Sequence, residues 1–541
     1  MTIPVIDIFA GPGGLGEGFS SLLDAHGRRV FKIALSIEKD EYAHQTLTLR
    51  SFFRQFEPAE TPEEYYKFIR GEITLEKLYK TYPLQAAAAE EEAWQATLGD
   101  SKDAVSKSIL DKRIKEALGG EQNWLLIGGP PCQAYSVVGR SRRQETILDE
   151  QKDERVGLYK QYLRILAVHN PAVFVMENVK GILSAETENS PVFTKILKDL
   201  ANPADAYYED FGRNGIQILC PGYKIYSLAV KAKGFDDSGN PVYKQKDFII
   251  HSERYGIPQT RHRVILLGVR NDIKFIPDVL RKTSEVGIAK VLADLPRLRS
   301  GLSKQKDDND SWKKAIEAIK KSNFLKGLDS NVKSKILKKV TKLRIPQSGK
   351  GGPFIPTEKL AIAYRKDWFI DTNIKGVCNH EARGHMESDL RRYFFVSCFG
   401  SVKRKSPRLE DFPIALLPNH ENIAEGIEDK KFADRFRVQL SNKPAKTITS
   451  HISKDGHYYI HYDPIQCRSF TVREAARIQT FPDNYYFCGP RTAQFSQVGN
   501  AVPPLLANKI AKVVNHIFNL LTNSNINDTL IETTTISTIA L

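Results

Sequence analysis

Apolar residues in the first half of the chain cluster in short, mostly apolar runs. Val5, Ile6, Ile8 and Phe9 form one, Phe31 to Ile37 a second, Trp124 to Ile127 a third, Val173 to Met176 a fourth and Val264 to Val269 a fifth. Runs of this length, bounded by glycine or polar residues, read as strands buried on both faces of a parallel sheet and are too short for helices. Between them the pattern is helical: from Leu15, through the charged stretch 50 to 120, and up to Leu166, with a further helix from Leu505 to about Leu521. Strands alternating with helices specify an α/β domain whose ligands sit beyond the carboxyl ends of the strands.

Those strand ends carry the candidate chemistry. Gly11, Gly13 and Gly16 follow the first run in a G-x-G-x-x-G spacing, and Glu38 closes the second about 20 residues on. Glycines let backbone approach a ligand, and the carboxylate can accept hydrogen bonds from ribose hydroxyls. Alone, this pattern also suits a nicotinamide dehydrogenase. The third run ends in Gly128-Gly-Pro-Pro-Cys-Gln-Ala-Tyr-Ser, where two glycines and two prolines fix an irregular turn and set Cys132 just past the strand. A nucleophile belongs there, although a lone cysteine is more often a small buried residue. The fourth run delivers Glu177 to the same edge. Ahead of the fifth, Arg261 and Arg263 alternate with Thr260 and His262, so at strand period both arginines point one way.

In order, the chain carries Asp7-Ile-Phe-Ala-Gly-Pro-Gly-Gly, Pro130-Pro-Cys-Gln, Glu177-Asn-Val and Gln259-Thr-Arg-His-Arg. Arg473-Glu-Ala-Ala-Arg-Ile-Gln-Thr-Phe-Pro and Gly499-Asn-Ala-Val follow near the end. The series resembles the motifs of the C5 cytosine methyltransferases over about residues 3 to 300 and 465 to 515. The resemblance implies a Rossmann-like α/β sheet that binds S-adenosylmethionine, a smaller inserted target-recognition domain, and double-stranded DNA as substrate. It implies Cys132, Glu177 and Arg263 as catalytic residues, and Phe9, Gly11, Gly13, Glu38, Pro131, Asn500 and Val502 around the cofactor. An aspartate reaching adenine is expected after the second strand; Asp100 is taken, with Asp111 as the alternative. Lys39 departs from the aromatic residue the family often has there. Gln133, Ser136, Arg140, Arg155, Arg261 and Thr447 are the implied DNA-binding residues. Arg140 and Arg155, with Arg142 and Arg143, belong to a loop that closes over DNA, and Arg261 also has a structural role.

The expected layout is a catalytic domain over 1–299 with a helical insertion at about 50–120, a recognition domain over 300–464, a returning segment over 465–520, and a disordered tail over 521–541. The lysines between 333 and 342 read as a helix, residues 349 to 356 as a loop, and Arg383, Arg391 and Arg392 as a helical element facing phosphates. Cys378, His380, His385 and Cys398 lack the paired spacing of a zinc site, so no metal is expected.

Composition changes this picture little. A length of 541 residues suits two or three domains, and a net charge of +15 favours a polyanionic partner. No apolar run nears the roughly 20 residues of a membrane helix, six scattered cysteines give no disulfide framework, and no charged leader precedes the first strand. The expectation is a monomeric enzyme of the bacterial cytoplasm, paired with a restriction endonuclease. A transfer-RNA methyltransferase would share the catalytic motifs but has a smaller recognition region. A regulator with a dead catalytic domain would lose Cys132, Glu177 or Arg263.

Overall fold

The computed structural model describes residues 2–131, 154–184, 186–187, 190–213, 217–358, 360–417 and 436–538. Seven strands build the central sheet: β1 (Ile3–Ile8), β2 (Phe31–Glu38), β3 (Ala93–Gln95), β4 (Leu125–Gly128), β5 (Val173–Val179), β6 (Tyr223–Ser227) and β7 (His262–Arg270). Their spatial order is β3-β2-β1-β4-β5-β7-β6, and the short strand Ile249–His251 adds to the start of β7. Strands β1 to β5 are mutually parallel. β7 runs antiparallel to β5 and β6. That one reversal brings the beginning of β7 to the edge where β1, β2, β4 and β5 end.

Helices cover both faces, which is why the strands are mostly apolar on both sides. On one face Leu15 and Phe19 of the helix Gly14–Ser20 pack with Leu505, Ile510, Val514 and Ile517 of the helix Pro504–Thr538. The other face is closed by Leu110, Ile114, Leu163, Leu166, Phe193 and Ile196. The backbone of Pro504–Thr538 stays helical through most of the stretch that asparagine, threonine and serine content marked as a disordered tail.

Residues 50 to 120 are not a continuous insertion. Glu63–Ile69, Leu75–Thr81 and Pro83–Glu92 are added helices, but Ala-Trp-Gln then forms β3, and Lys107–Leu118 covers the sheet like any crossover helix. Three residues are too few to show a period.

A second core lies apart from the sheet. Trp312, Ile316, Val332, Ile336, Val340, Leu390, Phe394 and Phe395 join the helices Asn309–Glu317, Ser330–Thr341 and Glu387–Lys403. In Ser330–Thr341 the apolar residues fall at i, i+4 and i+8, which buries one stripe and turns the lysines outward. The loop expected at 349 to 356 is instead a strand, Gly351–Pro356, paired antiparallel with Gly376–Glu381. The helix Val472–Ile478 belongs to a further core with Ile288, Leu292, Phe481 and Tyr485, and is closed at its start by a reciprocal Thr471 and Glu474 capping box. It is buried all round, Arg473 and Arg477 included.

Candidate active site

The first strand ends in a glycine turn. Gly11 and Gly13 hold φ of 58° and 87°, a region glycine enters without strain, and Phe9 between them and the strand takes φ 56°. At the end of β2, Glu38 fixes this turn: Oε2 accepts from Gly11 N at 2.8 Å, and Oε1 accepts from Lys39 N at 2.9 Å and Asp40 N at 2.8 Å. Burial raises the Glu38 carboxyl above its usual range, against the pull of those three amides. A side chain on Gly11 would meet nothing within 4 Å, so the turn faces open space.

The opposite side of the turn is covered by the end of the chain. A Cβ on Gly14 would lie 2.3 Å from the Val502 carbonyl oxygen, and one on Gly18 2.3 Å from Ala507 Cβ. Asn508 Nδ2 donates to Gly18 O at 3.1 Å, and the Tyr485 hydroxyl bonds Pro12 O. Val502 is buried in this contact, while Asn500 ends the helix Arg491–Asn500 exposed. Asp100 is exposed on the loop after β3. Asp111 is committed elsewhere: it lies 2.7 Å from both Arg164 Nη2 and His169 Nε2.

Asp7 is a feature the sequence reading passed over. It begins the first motif, is 1% exposed, and turns its carboxylate toward the backbone amide of Gly16 with no side-chain partner among the described residues. Burial pushes its pKa up to about 8, so the carboxyl is mostly protonated at neutral pH.

Along the same edge, Glu177 Oε1 meets Arg263 Nε at 2.8 Å, with the two side chains 14% and 16% exposed. Arg263 sits opposite Val179 and Glu177 opposite Ile265, so the pair bridges diagonally across the β5–β7 ladder. Arg263 Nη1 also donates to its neighbour's carbonyl, His262 O, at 2.9 Å. Gly128 pairs with Met176 and with Ile8. A Cβ on the next residue, Gly129, would be 3.1 Å from Glu177 Oε2, so the chain leaves β4 directly over this carboxylate. Pro131 follows, exposed. Cys132, Gln133, Ser136 and Arg140, with Arg142 and Arg143, lie outside the described residues, and Arg155 is described only as backbone of the helix Glu154–His169.

Arg261 is not a DNA contact. It is 1% exposed, and its Nη1 donates to Ile448 O at 2.8 Å and Gly499 O at 3.1 Å. Burial, with Arg263 nearby, lowers its pKa to about 9. Its work is to tie three segments together. Gln259 and Thr260 pair in parallel with Ala445 and Lys446, and Thr447 Oγ1 donates to Thr260 O at 2.8 Å, leaving Thr447 half-buried at the seam. Of the arginines expected to face phosphates, Arg383 and Arg392 are taken up by protein groups, while Arg391 keeps a 39% exposed side chain. Arg383 is buried and donates to Ile452 O and Lys454 O, Arg391 pairs with Glu387, and Arg392 pairs with Asp389 and donates to Leu416 O.

A mostly parallel sheet covered on both faces, with one reversed strand, a glycine turn after β1 and a polar pair at the ends of β5 and β7, defines a Rossmann-like methyltransferase. The C-5 cytosine-specific DNA methylase family matches residues 85–207 and 222–516, and the chain belongs to that family. It is a DNA cytosine-5-methyltransferase. It is 32% identical over 533 residues to the type II methyltransferase M.Bpa9945I of Bacillus paralicheniformis, covering 95% of this chain and 99% of that one. M.DdeI, a type II methyltransferase of Desulfomicrobium norvegicum, is 25% identical over 96% of this chain and 91% of its own. M.ApeKI, a DNA (cytosine-5-)-methyltransferase of Aeropyrum pernix, is 24% identical over 73% and 82%. Among the described residues no helix is long and apolar enough to cross a membrane.

Proposed function

We propose that this enzyme transfers a methyl group from S-adenosylmethionine to C5 of a cytosine flipped out of a specific double-stranded DNA sequence, through a transient bond between Cys132 Sγ and C6. The observation that carries the reading is the Glu177–Arg263 pair, set over the sheet edge beside Gly129, three residues before Cys132.

S-adenosylmethionine supplies an electrophilic methyl. The residues that would hold it fit: open space above Gly11, the Glu38 carboxylate fixed by backbone amides beside it, and Asp100 and Asn500 exposed to solvent. Phe9, Gly13, Pro131 and Val502 complete that set.

Cytosine C5 is a poor nucleophile until C6 is attacked. The Cys132 thiolate adds to C6, and electron density moves toward N3, where Glu177 holds the ring and supplies a proton while Arg263 balances the charge. C5 would then take the methyl group as its bond to the sulfonium sulfur breaks, leaving S-adenosylhomocysteine. Loss of the C5 proton to solvent or a base, with the N3 proton returning to Glu177, expels the Cys132 thiolate and restores the ring. C6 is inaccessible in a stacked duplex, so the base must leave the helix, which costs about a few kcal/mol.

In this reading residues 300–464 recognise the target, residues 465–520 complete the cofactor side, and Gln133, Ser136, Arg140, Arg155 and Thr447 meet DNA. The type II names of the bacterial relatives support a role in protecting host DNA from a cognate restriction endonuclease, and a monomer is part of the same proposal. Bisulfite sequencing of unmethylated genomic DNA after incubation with enzyme and S-adenosylmethionine tests it. Protected cytosines in one short repeated context are expected, and none with Cys132→Ser. Labelled methyl appearing in transfer RNA with no protection of DNA would overturn the reading.

A further inference from the structure

Next to the catalytic edge, where β7 begins, three metal-ligating side chains outside the Glu177–Arg263 pair converge. The strand Ile249–His251 places His251 directly across from His262, and the single helical turn Ser252–Tyr255 brings Glu253 to both. His251 Nδ1 lies 3.2 Å from His262 Nε2, His262 Nε2 lies 3.0 Å from Glu253 Oε1, and His251 Nδ1 lies 3.8 Å from the same oxygen. A tetrahedral zinc-type ion with bonds of about 2.0–2.1 Å holds its ligand atoms about 3.3–3.4 Å apart. The three edges bracket that span.

Hydrogen bonding leaves this cluster incomplete. The His262 Nε2 position faces two partners at once and can offer them a single hydrogen. Glu253 Oε2 is buried with no hydrogen-bond partner among the described residues, on a residue only 8% exposed. An orphaned buried carboxylate oxygen costs free energy that a coordinated cation would offset. The frame is held from behind, since Ser252 N and Oγ both donate to Arg261 O. Each imidazole is about a third exposed, so an ion can enter. Lys180 and Arg254 stand near His251, so capture depends on direct ligation and not on a long-range field.

We propose that His251, Glu253 and His262 bind one divalent transition-metal ion of the zinc class, with the remaining coordination position open to water. Two imidazoles and a carboxylate suit such an ion. None of these three side chains enters the proposed methyl transfer, but the site adjoins it, because it pins the start of the strand that carries Arg263.

Titration of untagged, chelator-stripped full-length protein with Co2+ tests this, followed by the visible absorption of the ion and by equilibrium dialysis. One equivalent per chain is expected, with the intense visible bands of four-coordinate Co2+. His251→Ala and the volume-conserving Glu253→Gln should each weaken binding at least about a hundredfold, while His26→Ala leaves it unchanged. Absence of a spectral change with equimolar Co2+, or an undiminished equivalent in both triad variants, would overturn the site.

Discussion

Glu177 Oε1 and Arg263 Nε sit 2.8 Å apart across the junction of a parallel and an antiparallel strand. Without the reversal of β7, the arginine would emerge at the far edge of the sheet. The pair is therefore a product of topology as much as of motif.

Arg263→Ala leaves a mostly buried Glu177 without its cation. Single-turnover methyl transfer is expected to fall about 10²–10³-fold, as for loss of one charge-stabilising donor, with DNA affinity little changed. Arg263→Lys should recover only part of the rate, because an ammonium cannot reproduce the planar fork. A variant within twofold of wild type would remove Arg263 from the reaction.

Arg261→Met separates a structural arginine from a phosphate contact. Stranding the carbonyls of Ile448 and Gly499 should lower stability by about 1–3 kcal/mol in urea titrations. The salt dependence of DNA binding should keep its wild-type slope. A slope shallower by about one would return Arg261 to the DNA surface.

Gly18→Ala drives a methyl to 2.4 Å from Pro504 O and 2.6 Å from Asn508 N, backbone atoms that cannot swing aside. A loss of about 1–3 kcal/mol is expected, seen as a lower melting temperature and weaker cofactor binding. Unchanged melting would mean the C-terminal helix does not rest on this glycine.

Asp7→Asn should change how stability depends on pH. In the folded protein Asp7 keeps its proton up to about pH 8, whereas in the unfolded chain it ionises near 3.8. Stability contributed by the protonated group is thus complete below about pH 4 and is lost as pH rises toward 8. The asparagine variant lacks that loss, so its stability relative to wild type should climb between pH 4.5 and 8. A constant difference in urea midpoint across that range would show that Asp7 is not buried as described.

Short apolar runs made β1, β2, β4, β5 and β7 readable, because strands covered on both faces need no polar alternation. β3 escaped, being only three residues long. The chemistry at strand ends was readable for the same reason the strands were: Gly11, Glu38, Glu177 and Arg263 all sit where an apolar run begins or stops. Charged residues misled. Arg261, Arg383, Arg473 and Arg477 look like surface positions in a basic protein, yet each is buried and donates to backbone carbonyls far away in sequence. Which carbonyls await an arginine is a property of the assembled fold, invisible to local pattern. Glu253 was unremarkable for that reason too, since its histidine partners become neighbours only once the strand Ile249–His251 pairs with β7.

The contact of Gly14 with Val502 and of Gly18 with Asn508 joins stretches of the polypeptide about 490 residues apart. On the ribosome, β1 and its glycine turn stay uncovered until residues 502 to 508 have been translated. Chains terminated before that point would carry Cys132, Glu177 and Arg263 without a finished cofactor pocket, so competence waits on the returning segment.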